Sequence, residues 1–177
     1  MTRTVIGVFR SRDQAERAVS EMRDNGFGEN EISIVAREDR ARGTGGRGGG
    51  EGVGDRLTNA TGIGSRDDIS EGVGWGGTLG GLAGLLAGAG ALAIPGIGPI
   101  VAAGPIAGAL SGAVSGGIAG GLLDWGIPEE RGRQYERDVR EGRILALIRS
   151  EERRVDRAAE ILRRNGATDV EIHEARY

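Results

Sequence analysis

The chain has no cysteine and no lysine, a single histidine, and aromatic residues at only 3% of its 177 positions. Without cysteine there are no disulfides, no thiol nucleophile and no thiolate metal site. A lone histidine, His173, leaves no histidine pair or two-histidine metal site within one chain. All 23 basic residues are therefore arginines. Set against 26 acids they leave a net charge of −3, which gives no electrostatic basis for binding nucleic acid or an acidic membrane surface. No signal-peptide pattern precedes the first strand-like run at Thr4, so the expected location is the cytoplasm or the cytoplasmic side of the cell membrane.

The longest absence is one of charge. From Gly72 to Leu123, 52 residues pass without a charged side chain, and 18 of them are glycine. Gly72, Gly76, Gly80, Gly84 and Gly88 recur every four residues, as do Gly104, Gly108, Gly112, Gly116 and Gly120. Residues four apart share one side of an α-helix, so each row reads as a groove of bare backbone. Glycine costs about 1 kcal/mol per helical position relative to alanine, and close helix–helix approach is what offsets it. Ile94-Pro95-Gly96-Ile97-Gly98-Pro99 separates the rows, and the residue before proline avoids helical angles, which stops the first helix near Ala93. The pattern predicts an antiparallel helical hairpin over residues 72–125. Its packing residues are Gly76, Gly80, Gly84 and Gly88 against Gly108, Gly112, Gly116 and Gly120, with Trp75 and Trp125 as interface anchors at the outer ends.

On either side of the hairpin lies a β-α-β unit. Thr4–Phe9 is a strand apolar on both faces, Ser11 with Gln14 forms a capping box, and Ala15, Ala18, Val19 and Met22 give the helix its apolar stripe. Asn25-Gly26 ends that helix, and Glu31–Ala36 is a second, alternating strand. The C-terminal third repeats the pattern. Arg143–Ile148 is the strand, Ser150 the cap, and Val155, Ala158, Ala159 and Leu162 form the stripe. Asn165-Gly166 is the stop and Val170–Glu174 the alternating strand. Continuously apolar strands belong in the middle of a sheet and alternating ones at its edges. The fold class is α+β: two β-α-β units in one ferredoxin-like sandwich, interrupted by the glycine-rich hairpin. One face takes the two helices, and the apolar strands require something else on the other.

The expected domains are 1–38 with 142–177 as the sandwich, 39–71 as a glycine-rich flexible linker, 72–125 as the hairpin and 126–141 as a connecting helix. That helix starts at Pro128, ends at Gly142 and carries Tyr135 and Val139 as a thin apolar side. With five arginines and five acids through Arg143 it reads as a solvated arm. Gly43-Thr44-Gly45-Gly46-Arg47-Gly48 matches GxGxxG but follows no strand and opens no helix, so it carries no nucleotide reading.

The order of β-α-β unit, glycine-rich hairpin, and then Gly126-Ile127-Pro128-Glu129 with Tyr135-Glu136 and Val139 before Gly142 resembles the bacterial heat-induced general stress protein 17M-like family. The resemblance implies a stress-associated protein without assigned catalysis, and it supplies no catalytic residue.

No constellation in the sequence points to an enzyme, a cofactor, a metal or a small-molecule substrate. His173 alternates with Val170 and Ile172 on an expected edge strand and reads as solvent-facing. Asp67-Asp68 and Glu129-Glu130 read as solvated faces, and Ser111 and Ser115 as small hydroxyls within the helical packing.

The partners expected are a lipid bilayer or further copies of the chain. In the first reading the hairpin inserts: 22 residues to Ala93 and 19 from Pro105 to Leu123 span about 33 and 28 Å, near the thickness of a hydrocarbon core. The large apolar residues of the first helix contribute only about −3 kcal/mol to insertion. In the alternative, the protein is soluble and forms homo-oligomers through the hairpin, or folds it over the open sheet face.

Overall fold

Residues 4–9 and 144–148 are buried on both faces, which is possible only for central strands with a packed layer on each side. The computed structural model, which describes residues 1–41, 90–94, 96–112 and 116–174, places them so. The first unit is β1 (Thr2–Phe9), α1 (Arg12–Asp24) and β2 (Ile32–Arg37), followed by the short α2 (Glu38–Ala41). Next come β3 (Gly90–Ile94), β4 (Gly98–Ala103), α3 (Ile106–Gly112), α4 (Gly117–Leu123) and α5 (Glu129–Arg140). The second unit is β5 (Ile144–Glu151), α6 (Glu152–Arg164) and β6 (Thr168–Glu174).

The six strands form one antiparallel sheet in the order β3-β4-β2-β5-β1-β6. Within it, β2-β5-β1-β6 is the ferredoxin-like order, with β1 and β5 side by side in the register Ile6↔Leu147 and Val8↔Leu145. The local signals act as expected. Ser11 Oγ accepts the Gln14 N–H at 3.3 Å, and Gly26 and Gly166 take φ of +80° and +92° past their helix ends. Ser150 departs from expectation. It sits in β5 and donates its hydroxyl to Glu31 at 2.6 Å, and Glu151 takes the N-cap place of α6.

Glu31 ties the two units together. Its carboxylate also accepts the Gly28 N–H at 2.9 Å and Arg154 Nη1 at 2.8 Å, while the Arg154 guanidinium lies 4.3 Å from the Phe27 ring centroid. Burial alone would raise the pKa of Glu31, but the bonds from Ser150, Gly28 and Arg154 outweigh it and hold the group below the ordinary 4.5. A depressed folded pKa means stability that is present above the unfolded value and lost as pH falls through the folded one. We expect Glu31→Gln to lower the urea midpoint at pH 7, with the gap to wild type closing below pH 4.5. A constant gap from pH 7 to pH 3 would contradict this assignment.

Two corrections concern the glycine-rich segment. The first expected helix does not reach Ala93, because Gly90–Ile94 is strand β3, paired with β4 from Gly90↔Ala102 to Ile94↔Gly98. In place of an interhelical loop, β3 is followed by a turn into β4, with the Ile97 N–H donating to the Ile94 C=O at 3.1 Å and Gly96 at φ +85°. Small and large residues alternate in Ala91-Leu92-Ala93-Ile94, and a period of two suits a pleated strand. β4 in turn pairs with β2, so β2 is interior rather than an edge. The second expected helix is not continuous either. α3 ends at Gly112, and α4 begins after Gly116 with Gly117 at φ +60°, a value that interrupts a right-handed helix.

The expected linker beyond Ala41 and the first glycine row, Gly72 to Gly88 with Trp75, lie outside the described residues.

The first face of the sheet carries α1 and α6, whose stripes (Ala15, Ala18, Val19 and Met22; Val155, Ala158, Ala159 and Leu162) pack on Val5, Phe9, Ile34, Ala146 and Ile148. The second face carries α3, α4 and α5. Ile106, Leu110, Ile118, Leu122, Trp125, Tyr135 and Val139 pack there on Ile6, Val8, Val35, Leu145 and Leu147. The solvated-arm reading of residues 126–141 is corrected accordingly, since Tyr135 and Val139 are fully buried. Their spacing of four residues places both on the sheet side of α5, while its charges other than the buried Asp138, which pairs with Arg143, face outward.

Candidate functional site: the glycine-rich cover

The cover is built largely from small residues, and its buried large side chains point to the sheet. α3 contributes Ile106 and Leu110, α4 contributes Ile118 and Leu122, and the following turn contributes Trp125. Each fully buried Ile or Leu is worth about 1.5–3 kcal/mol relative to exposure. α3 is anchored at its start by Ser33, whose Oγ accepts the Ile106 N–H at 3.2 Å.

Close approach between neighbouring helices of the cover is permitted by Gly121 and Gly132, which lie outside the four-residue rows. A Cβ on Gly121 would stand 2.5 Å from Leu110 Cδ2, so α3 and α4 meet there. A Cβ on Gly132 would stand 3.0 Å from Ala119 Cα and 3.2 Å from its carbonyl oxygen, so α4 and α5 meet backbone to backbone. Nothing along the chain marks either glycine, because each is defined by the residue it meets in space, Leu110 or Ala119. Of the row itself, Gly108 is exposed and a Cβ there would touch nothing within 4 Å. Gly112 closes α3, Gly116 stands at the N-cap of α4, and Gly120 lies within it. Gly76, Gly80, Gly84 and Gly88 lie outside the described residues. Trp125 is 3% exposed and belongs to the second-face core.

Gly116 and Gly120, with Ala119 and Leu123, form one wall of a cleft of about 380 Å³ whose other wall is Glu129, Arg133 and Glu136 of α5. The charges there are engaged. Arg133 pairs with Glu129, and Glu136 accepts the Ala119 N–H at 3.2 Å while approaching Arg140 at 3.7 Å. Ser111 donates to the Gly108 carbonyl at 2.8 Å, which is the back-bonding expected of a small helical hydroxyl.

At the far end of the cover, α5 is tied to β6. Glu171 accepts both ends of the Arg131 guanidinium, the Tyr135 hydroxyl at 3.2 Å and a contact from His173 Nε2 at 3.1 Å. Burial, and then the Glu171 charge, push the Tyr135 hydroxyl well above its ordinary value, so it stays protonated and donates. His173 is not the solvent-facing residue expected; its side chain is only 14% exposed. Alternation along β6 puts His173 on the second face, and Ile172 is the exposed residue.

Compared with known families, residues 4–43 match the Heat induced stress protein YflT domain. The N-terminal unit is a heat-induced stress protein domain. The match agrees with the resemblance to the general stress protein 17M-like family and covers the first β-α-β unit. No curated protein and no solved structure is significantly similar to the chain. The matching domain belongs to a stress-protein family, and no enzyme family is indicated.

Proposed function

We propose that this stress protein is non-enzymatic and acts as an assembly module, with two copies joining through the uncharged end of the sheet. The observation that carries this reading is β3. It is an outermost strand with no charged residue, and among the described residues it pairs with β4 alone. Natural sheets protect such edges with charges, bulges or twist. The opposite edge carries charges and a bulge: Asp169, Glu171 and Glu174 on β6, and a register shift between Ile6 and Val8. β3 has none. Pairing of β3 with β3 of a second copy is isologous and closes after one step, whereas β3 on β6 would propagate and meets the acidic edge.

Membrane association through a glycine-zipper hairpin is the competing reading. For the second row, burial weighs against it. An Ile or Leu gains about 0.3–0.6 kcal/mol from insertion at a bilayer centre. Seating the same side chain in a protein core is worth about 1.5–3 kcal/mol. Among the described residues no helix is long and apolar enough to cross a membrane.

Ala93 is exposed on β3, so Ala93→Lys places a charge on the edge without entering the core. Light scattering coupled to size exclusion is expected to give a dimer for the wild type and a monomer for Ala93→Lys. Equal masses for the two would overturn the edge assignment. Recovery of the wild type only with detergent or lipid would favour the membrane reading.

A further inference from the structure

Three strands place an unusual row on the second face. Thr4 of β1 stands opposite Arg149 of β5 in one register and opposite His173 of β6 in the other. Directly opposed residues have Cβ atoms about 4.5–5.5 Å apart, so the three side chains share one patch about 10 Å across. Thr4 is fully buried, yet its hydroxyl has no hydrogen-bond partner. Arg149 is half-buried, with its guanidinium 5.3 Å from the centroid of the Trp125 indole and no carboxylate partner among the described residues. His173 flanks Thr4 on the other side, its ring held by Glu171.

We propose that Arg149 and Thr4 form a binding site for a small oxyanion, a phosphate or carboxylate group, with Trp125 and His173 as its walls. An unpartnered buried hydroxyl is costly unless something accepts its hydrogen bond, and an oxyanion does so. A guanidinium supported by an aromatic face is held in place to donate to the same group, and charge-assisted bonds of that kind are among the strongest available. The surrounding charge agrees. The Glu171 carboxylate is compensated by Arg131, which leaves Arg149 as the uncompensated charge of the row. Glu151, two residues on along β5, is exposed at the strand end.

Trp125 supplies the readout, because it lies under the guanidinium. In a Trp75→Phe background, titration with inorganic phosphate and, separately, with acetate is followed by Trp125 fluorescence at ionic strength held constant with sodium chloride. We expect a saturable change for at least one anion, with half-saturation on the order of 1 mM. The anion that saturates at lower concentration identifies the group recognised. Arg149→Met is expected to weaken the response about tenfold or more, since it removes a charge-assisted bond. Arg153→Met, at an exposed arginine of α6, leaves it unchanged. Thr4→Val is a second, isosteric test. It should melt at or above the wild-type temperature without anion and lose the anion-induced rise in Tm. Absence of a saturable response to either anion, an equal response to chloride alone, or an undiminished response in both Arg149→Met and Thr4→Val would overturn the site.

Discussion

Gly104→Ala is expected to destabilise the fold by about 3–5 kcal/mol, more than any other single methyl addition. Gly104 joins β4 to α3, where the chain leaves the sheet and turns over its second face. Its backbone lies against the start of β2, so an added Cβ would stand 2.1 Å from the Ile32 carbonyl oxygen and 3.0 Å from Ser33 Cα. Neither atom is free to retreat. Ile32 is paired with Ile148 in the ladder, and the Ser33 hydroxyl holds the first turn of α3. The φ of +81° adds its own penalty of about 1–2 kcal/mol for a residue with a side chain. Gly98→Ala isolates that second contribution. Gly98 has φ +90°, but a Cβ there meets nothing within 4 Å, so a loss of about 1–2 kcal/mol is expected. Urea unfolding of the two variants separates the effects, and equal losses would mean that the crossing at Ile32 is not as close as described.

Tyr135→Ala is expected to cost about 3–5 kcal/mol, the usual range for removing a large aromatic side chain from a core. Tyr135 is the largest fully buried side chain among the described residues and lies among Leu122, Val139 and Leu147 in the second-face core. Tyr135→Phe retains the ring and removes only the bond to Glu171, which keeps its Arg131 and His173 contacts, so about 1 kcal/mol is expected. On a solvated arm both substitutions would fall within about 0.5 kcal/mol of wild type. The ratio of the two losses in chemical denaturation therefore reports directly on where α5 lies.

These two sites also show what could be read in advance. The β-α-β units were legible because their signals are local and agree with one another. Ser11 caps, Asn25-Gly26 and Asn165-Gly166 stop, and two doubly apolar strands demand central places. The same demand announced that the second face had a cover. Its identity was not legible, because a helix such as α5 is polar over most of its circumference and shows only Tyr135 and Val139. Four-residue glycine spacing was the strongest regularity in the chain, and it hid a weaker one with a period of two. Ala91 to Ile94 and Ile97 to Val101 flank a Pro-Gly turn, which is a hairpin signal when the neighbouring strand β2 has a free side.

The row formed by Thr4, Arg149 and His173 was invisible for a different reason. Its members are separated by 145 and 24 positions and are joined only by register. A shift of one residue in either pairing would send Thr4 or its neighbours to the opposite face. Gly121 and Gly132 belong to the same class. Their importance lies in Leu110 and Ala119 across the contact, not in any spacing along the chain.

The central claim is that the second half of the glycine-rich segment is the cover of the sheet. Methyl–methyl NOEs in detergent-free solution test it most directly. The account predicts cross-peaks linking Ile118 and Leu122 of α4 to Ile6 of β1 and Leu147 of β5. Absence of these cross-peaks, with Ile118 and Leu122 instead contacting acyl chains once lipid is added, would contradict it.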